Sequence, residues 1–174
     1  MTRVAIMSNS KRLSAKVIHT DVCKLLFVAV TAAAVLGSVV GNAAEQTITK
    51  ISQPGLITVI SIGGTGLSFF NLRLSDFPGE LLVVPKKLLG IEWRTTHYPE
   101  NLNERVELCY FRPFNSEDNN CRWILPNASG VLHDFNDLPF GNGAGVAIKH
   151  RVGPGGAVIG HPVGSDAVTY RYSY

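Results

Sequence analysis

Residues 106–125 read VELCYFRPFNSEDNNCRWIL, and the reading of this stretch decides the fold. Two runs rich in Val, Leu, Tyr, Phe, Ile and Trp flank a polar centre, which is the pattern of a β-hairpin. Placing Cys109 opposite Cys121 sets a register in which paired positions sum to 230. Arg112 then faces Asp118, Tyr110 faces Asn120, and Pro113 with Asn115, Ser116 and Glu117 falls in the connecting loop. Turn chemistry and charge pairing thus agree with a cross-strand disulfide. Closing a loop of this size contributes roughly 3 kcal/mol in the chain-entropy view.

The same texture continues on both sides. Short apolar runs at 47–51, 56–62, 67–72, 80–84, 88–95, 130–135, 143–152 and 167–174 are separated by clusters of Gly, Pro, Asn and Asp. No segment carries a sustained helical period, and only 99–105 offers a turn or so of helix. Many short strands predict an all-β domain: a single antiparallel β-sandwich, Ig-like or jelly-roll-like, with a small β-barrel as second choice. The last run alternates cleanly. Val168, Tyr170, Tyr172 and Tyr174 share one face, and Ala167, Thr169, Arg171 and Ser173 the other, so this strand is expected to be half buried. Ending on Tyr174, these eight residues resemble the last strand of outer-membrane barrels and, more loosely, that of chaperone-usher pilins. The likeness implies a cell-surface subunit that pairs through its C-terminal strand. Continuously apolar strands elsewhere and a mid-chain hairpin disulfide depart from both patterns.

The N-terminal region is of another kind. Arg3, Lys11, Arg12, Lys16 and Lys24 precede a mostly apolar run over 25–40, which ends in Gly41-Asn42-Ala43-Ala44. That is the layout of a secretory signal peptide, with Gly41 and Ala43 as the small residues before cleavage. Residues 1–43 are expected to be removed, leaving 44–174 as one β domain with no stable membrane span. The expected location is secreted or periplasmic, where Cys109 and Cys121 can pair. Without the first 43 residues, eleven Lys and Arg stand against twelve Asp and Glu, a balance of −1. The precursor's positive charge therefore gives no case for a nucleic-acid partner.

Candidate sites are few. Trp93, His97 and Tyr98 lie beside a polar stretch and form the expected ligand-binding surface for a glycan or protein partner, since loop aromatics stack on sugars and anchor interfaces. Asp134, Asn136 and Asp137 place three oxygen ligands within four residues, which suits Ca²⁺ as a cofactor, with an Asx turn as the simpler account. His150 shares a face with Val146, Ile148 and Val152, so its ring needs a partner inside the core. Glu107, Arg112 and His150 are the residue types of a compact secreted ribonuclease, but Glu107 and Arg112 fall on opposite faces of one strand. There is no Gly-x-Ser-x-Gly elbow. Trp93 and Trp123 are both expected in the core.

These observations predict an exported, disulfide-stabilised binding module without catalysis. The alternatives are a pilin-like or small-barrel surface subunit using the C-terminal strand, and a small secreted hydrolase built on His150 or the 134–137 loop.

Overall fold

A computed structural model describes residues 44–117 and 120–174. The expected signal segment at 1–43 lies outside the described residues, as does Asp118, the expected partner of Arg112. Among the described residues there are ten strands: β1 (Glu45–Ser52), β2 (Ile57–Thr58), β3 (Gly64–Asn71), β4 (Lys87–Arg94), β5 (Arg105–Phe111), β6 (Cys121–Ile124), β7 (Ser129–Leu132), β8 (Gly145–Val152), β9 (Ile159–Gly160) and β10 (Asp166–Ser173). They build two antiparallel four-stranded sheets, in the orders β1-β10-β4-β7 and β3-β8-β5-β6, with β2 and β9 as a small pair of their own. The two sheets pack as layers of a β-sandwich. No closed barrel forms among the described residues, so the second-choice fold is set aside.

The hairpin keeps the register read from its cysteines. Val106 pairs with Ile124, Glu107 with Trp123, Leu108 with Arg122 and Cys109 with Cys121. The disulfide is formed, with Cα atoms 4.0 Å apart, and such a bond belongs to an oxidising, non-cytoplasmic compartment. In β10 the alternation sends Val168, Tyr170 and Tyr172 inward. They pack in one cluster with Phe70, Leu108 and Ile148 of the facing sheet. In β4 the register shifts opposite Arg171 and Tyr172, so Leu88 and Ile91, three residues apart, both face the core.

β10 is not an edge. β1 pairs along one side of it and β4 along the other, so the expected pairing of this strand with another chain has no free ladder to use. Three further expectations are corrected. The run at 80–84 is a short 3-10 turn, because Pro78 and Pro85 bracket it, and Lys86 Nζ caps the carbonyls of Leu81 and Val84. The run at 56–62 shortens to β2, because Ile60 and Gly63 exchange hydrogen bonds in a tight turn. The helical turn at 99–105 is a turn closed by Asn101 N on Tyr98 O, followed by Asn103 in the left-handed region at φ 55°.

Candidate functional site

At one end of the sandwich a polar cluster lies between the sheets. His150 follows Ile148 inward on β8 and is fully buried. Its Nδ1 donates to Glu104 Oε1 at 2.7 Å and its Nε2 to Asp166 Oδ2 at 3.0 Å. Asp166, also fully buried, accepts from Ser68 Oγ at 2.6 Å and from the Thr96 backbone N at 2.8 Å. Glu104 Oε2 accepts from the Tyr98 backbone N at 3.0 Å. Burial alone would disfavour the charged imidazole, but the hydrogen bonds and fields of Asp166 and Glu104 outweigh it and lift the His150 pKa to about 9.

This geometry is not that of a catalytic base. Both ring nitrogens are donors to carboxylates, so no lone pair is left to accept a proton. The Ser68 hydroxyl is bonded to the aspartate and not to the imidazole, which reverses the order needed to activate a nucleophile. Glu107 and Arg112 do not join His150. Glu107 lies on the opposite face of the sheet, where Arg151 Nη2 reaches it at 3.3 Å.

The expected ligand-binding trio is not gathered on one surface. Tyr98 is buried with Ile57 and Val152, and its hydroxyl donates to Gly55 O. Trp93 packs partly buried against the core, with its ring over Gly130 and its indole N–H unpartnered. His97 lines a surface hollow of about 370 Å³ with Arg94, Thr96, Asn127 and Ser165.

Nor do the expected calcium ligands converge. Arg122 Nε donates to Asp134 Oδ1 at 2.6 Å, and this pairing holds the Asp134 carboxyl below the usual range. Asn136 turns its amide nitrogen to Leu89 O at 2.8 Å, and its Oδ1 is buried without a partner. Asp137 stands exposed. Among the described residues the titratable groups close enough to share a metal are Glu107, Cys109 and Cys121, and there both sulfurs are committed to the disulfide.

The most unusual surface is the outer face of the sheet β3-β8-β5-β6. Val106, Leu108 and Tyr110 take the inner positions of β5, so Glu107 and Cys109 take outward ones with their partners Trp123 and Cys121, and Cys109 is itself fully covered by its neighbours. On β3 the inner positions go to Ser68 and Phe70, leaving Leu67 and Phe69 outside. Phe69 is 57% exposed in the row of Ala147, Cys109 and Cys121, and Trp123 is 62% exposed two residues along β6 from Cys121. Phe114, 85% exposed at the hairpin loop, holds a left-handed φ of 57° that a bulky side chain adopts at a cost. A hollow of about 470 Å³ runs between Phe69, Phe111 and Phe114. The expected burial of Trp123 is thus overturned: Glu107, its partner in the ladder, excludes that face from the core.

Fold and surface together define a disulfide-braced two-layer β-sandwich, one outer face of which carries exposed aromatic side chains beside the charged Glu107, Lys149, Arg105 and Arg151. No family model matches the chain, and no curated protein matches it. Among solved structures a crystal structure of FLHE is similar, with a TM-score of 0.51 and 18% identity over 76% of this chain and 100% of that one. At that identity the likeness concerns the fold alone.

Proposed function

We propose that this protein is an exported, non-catalytic binding module, secreted or periplasmic, that engages a protein partner through the outer face of β3-β8-β5-β6. The observation that carries the reading is the exposure of Phe69, Trp123 and Phe114 around the cystine. Large aromatic side chains left exposed on a sheet face mark interaction sites, where such residues dominate the energetics. Export rests on the basic and apolar N-terminal sequence together with the disulfide. Against the hydrolase alternative, both ring nitrogens of His150 are occupied, and in the 134–137 loop Asp134 is paired with Arg122.

The test places a photo-crosslinking residue at Trp123, and separately at Thr49 on the other sheet, in cells expressing the full chain. A discrete protein adduct from position 123 and none from position 49 is expected. Equal adducts, or adducts only from position 49, overturn the choice of face. Recovery of the unprocessed precursor in cytosol, with its thiols reduced, overturns export.

A further inference from the structure

Arg105 of β5 and Arg151 of β8 are directly opposite each other in the ladder. Both occupy outward positions, because Val106 and His150 beside them face the core. Like charges directly across a ladder are destabilising. Arg151 is relieved in part by Glu107 at 3.3 Å. Among the described residues no carboxylate reaches Arg105. The two arginines line one hollow of about 350 Å³, floored by Gly153 and Pro154 and edged by Asn103. Arg105 also lines a second hollow, of about 320 Å³, whose other walls include Trp123 and Leu125. An anion-attracting hollow and an aromatic one therefore adjoin across a single side chain.

We propose that Arg105 and Arg151 form the anion-holding end of this outer face, and that the occupant is an extended acidic segment of a partner protein. In this arrangement a carboxylate sits between the two guanidiniums while a neighbouring aliphatic or aromatic side chain covers Trp123. The proposal rests on the binding reading of this face given above. Three points favour it. The guanidinium fork matches a carboxylate in two hydrogen bonds, and two forks on one hollow leave charge that the fold itself does not neutralise. Trp123 lies one row of outward positions from the arginine pair, about 7 Å along the strands, which is the spacing of alternate side chains in an extended segment. Tryptophan beside arginine is the composition of an interface hot spot.

The test selects binders to the full-chain protein, as recovered from the exporting cell, from a random-peptide display library. Enriched peptides are expected to carry Asp or Glu two positions from an aromatic or aliphatic residue. Binding of a selected peptide should fall about tenfold or more in Arg105→Glu/Arg151→Glu, the scale of losing one charge-assisted contact. Added salt should weaken it as well. The single variant Arg105→Glu places a carboxylate opposite Arg151, so its melting temperature should hold or rise while binding is lost, which separates the effect from unfolding. Selected peptides without acidic residues, or unchanged binding in the double variant, overturn the anion subsite. Arginine-dependent flotation with phosphatidylglycerol vesicles but no peptide enrichment overturns the protein segment as occupant. Loss of binding in Trp123→Ser with none in the double variant removes this inference and leaves the proposed face standing. Insensitivity to both changes, or no enrichment with any peptide or vesicle, removes both.

Discussion

His150 Nε2 sits 3.0 Å from Asp166 Oδ2, and the contact joins β8 of one sheet to β10 of the other. With Glu104 on the second ring nitrogen, a buried cation is held by two carboxylates between the layers. The folded pKa is raised to about 9, against about 6.5 for an imidazole in the unfolded chain. The stabilisation is therefore complete below about pH 6.5 and is lost as pH rises through about 9. That gap corresponds to roughly 3 kcal/mol. Urea midpoints measured from pH 6 to pH 10 should fall along this window. A profile that is flat across it, with an intact fold, would show that His150 is neutral in the native state. Asp166→Asn should cost roughly 3–5 kcal/mol, because it leaves a buried charge partly unpaired.

The disulfide braces the hairpin that carries the proposed face. Cys109→Ser should lower stability by about 3 kcal/mol under oxidising conditions and by little once the parent is reduced. The Glu107 carboxylate lies within 4.8 Å of both sulfurs, so an attacking thiolate meets a like charge. Glu107→Gln should then speed reduction by glutathione severalfold. Equal rates in parent and variant would show that solvent screens the carboxylate completely.

How much of this was legible in the sequence follows from range. The hairpin register and the inward face of β10 depend on parity within one or two strands, and both are read directly from the residues. Which face of the hairpin turns inward needed one further step. Glu107 pairs with Trp123 in the register fixed by the cysteines, so a core position for Trp123 would have carried a carboxylate in with it. The polar cluster is half legible: parity puts His150 on a core face, but its partners Glu104 and Asp166, and Ser68 behind Asp166, come from other elements. Only the packing of the two sheets brings them together. On β3 hydrophobicity alone favours Leu67 and Phe69 for the inner face over Ser68 and Phe70, yet the latter pair is inside, where the Ser68 hydroxyl donates to buried Asp166. The separation of Trp93, His97 and Tyr98 reflects the chain leaving β4 after Arg94, where strand parity ends.

Gly66 is fixed by the small second core. A Cβ there would lie 2.2 Å from the Tyr98 hydroxyl oxygen and 3.0 Å from Ile57 Cγ1. Gly66→Ala must displace a buried ring whose hydroxyl is already bonded to Gly55 O, a loss expected at about 1–3 kcal/mol. Removing the obstacle should soften it. Tyr98→Phe alone should cost about 1–2 kcal/mol, since Gly55 O loses its donor, and the double variant should be less destabilised than the two losses added together. Strict additivity in thermal or urea unfolding would show that the clash falls elsewhere.

Exposure of Phe69 and Trp123 makes the last prediction the reverse of the usual one for aromatic residues. Truncating buried apolar side chains such as Ile148 costs about 2–5 kcal/mol, through lost burial and the cavity left behind. Phe69 and Trp123 leave no such cavity, because both are more exposed than covered and the core lies on the far side of their strands. Phe69→Ser and Trp123→Ser should therefore change the unfolding free energy by no more than about 0.5 kcal/mol. Binding of a hydrophobic dye to the native protein should drop in both. A loss above about 1 kcal/mol in either variant would mean that these rings shield the cystine as part of the fold. The face would then be structural cover, and a partner would have to be sought at the hollow beside His97.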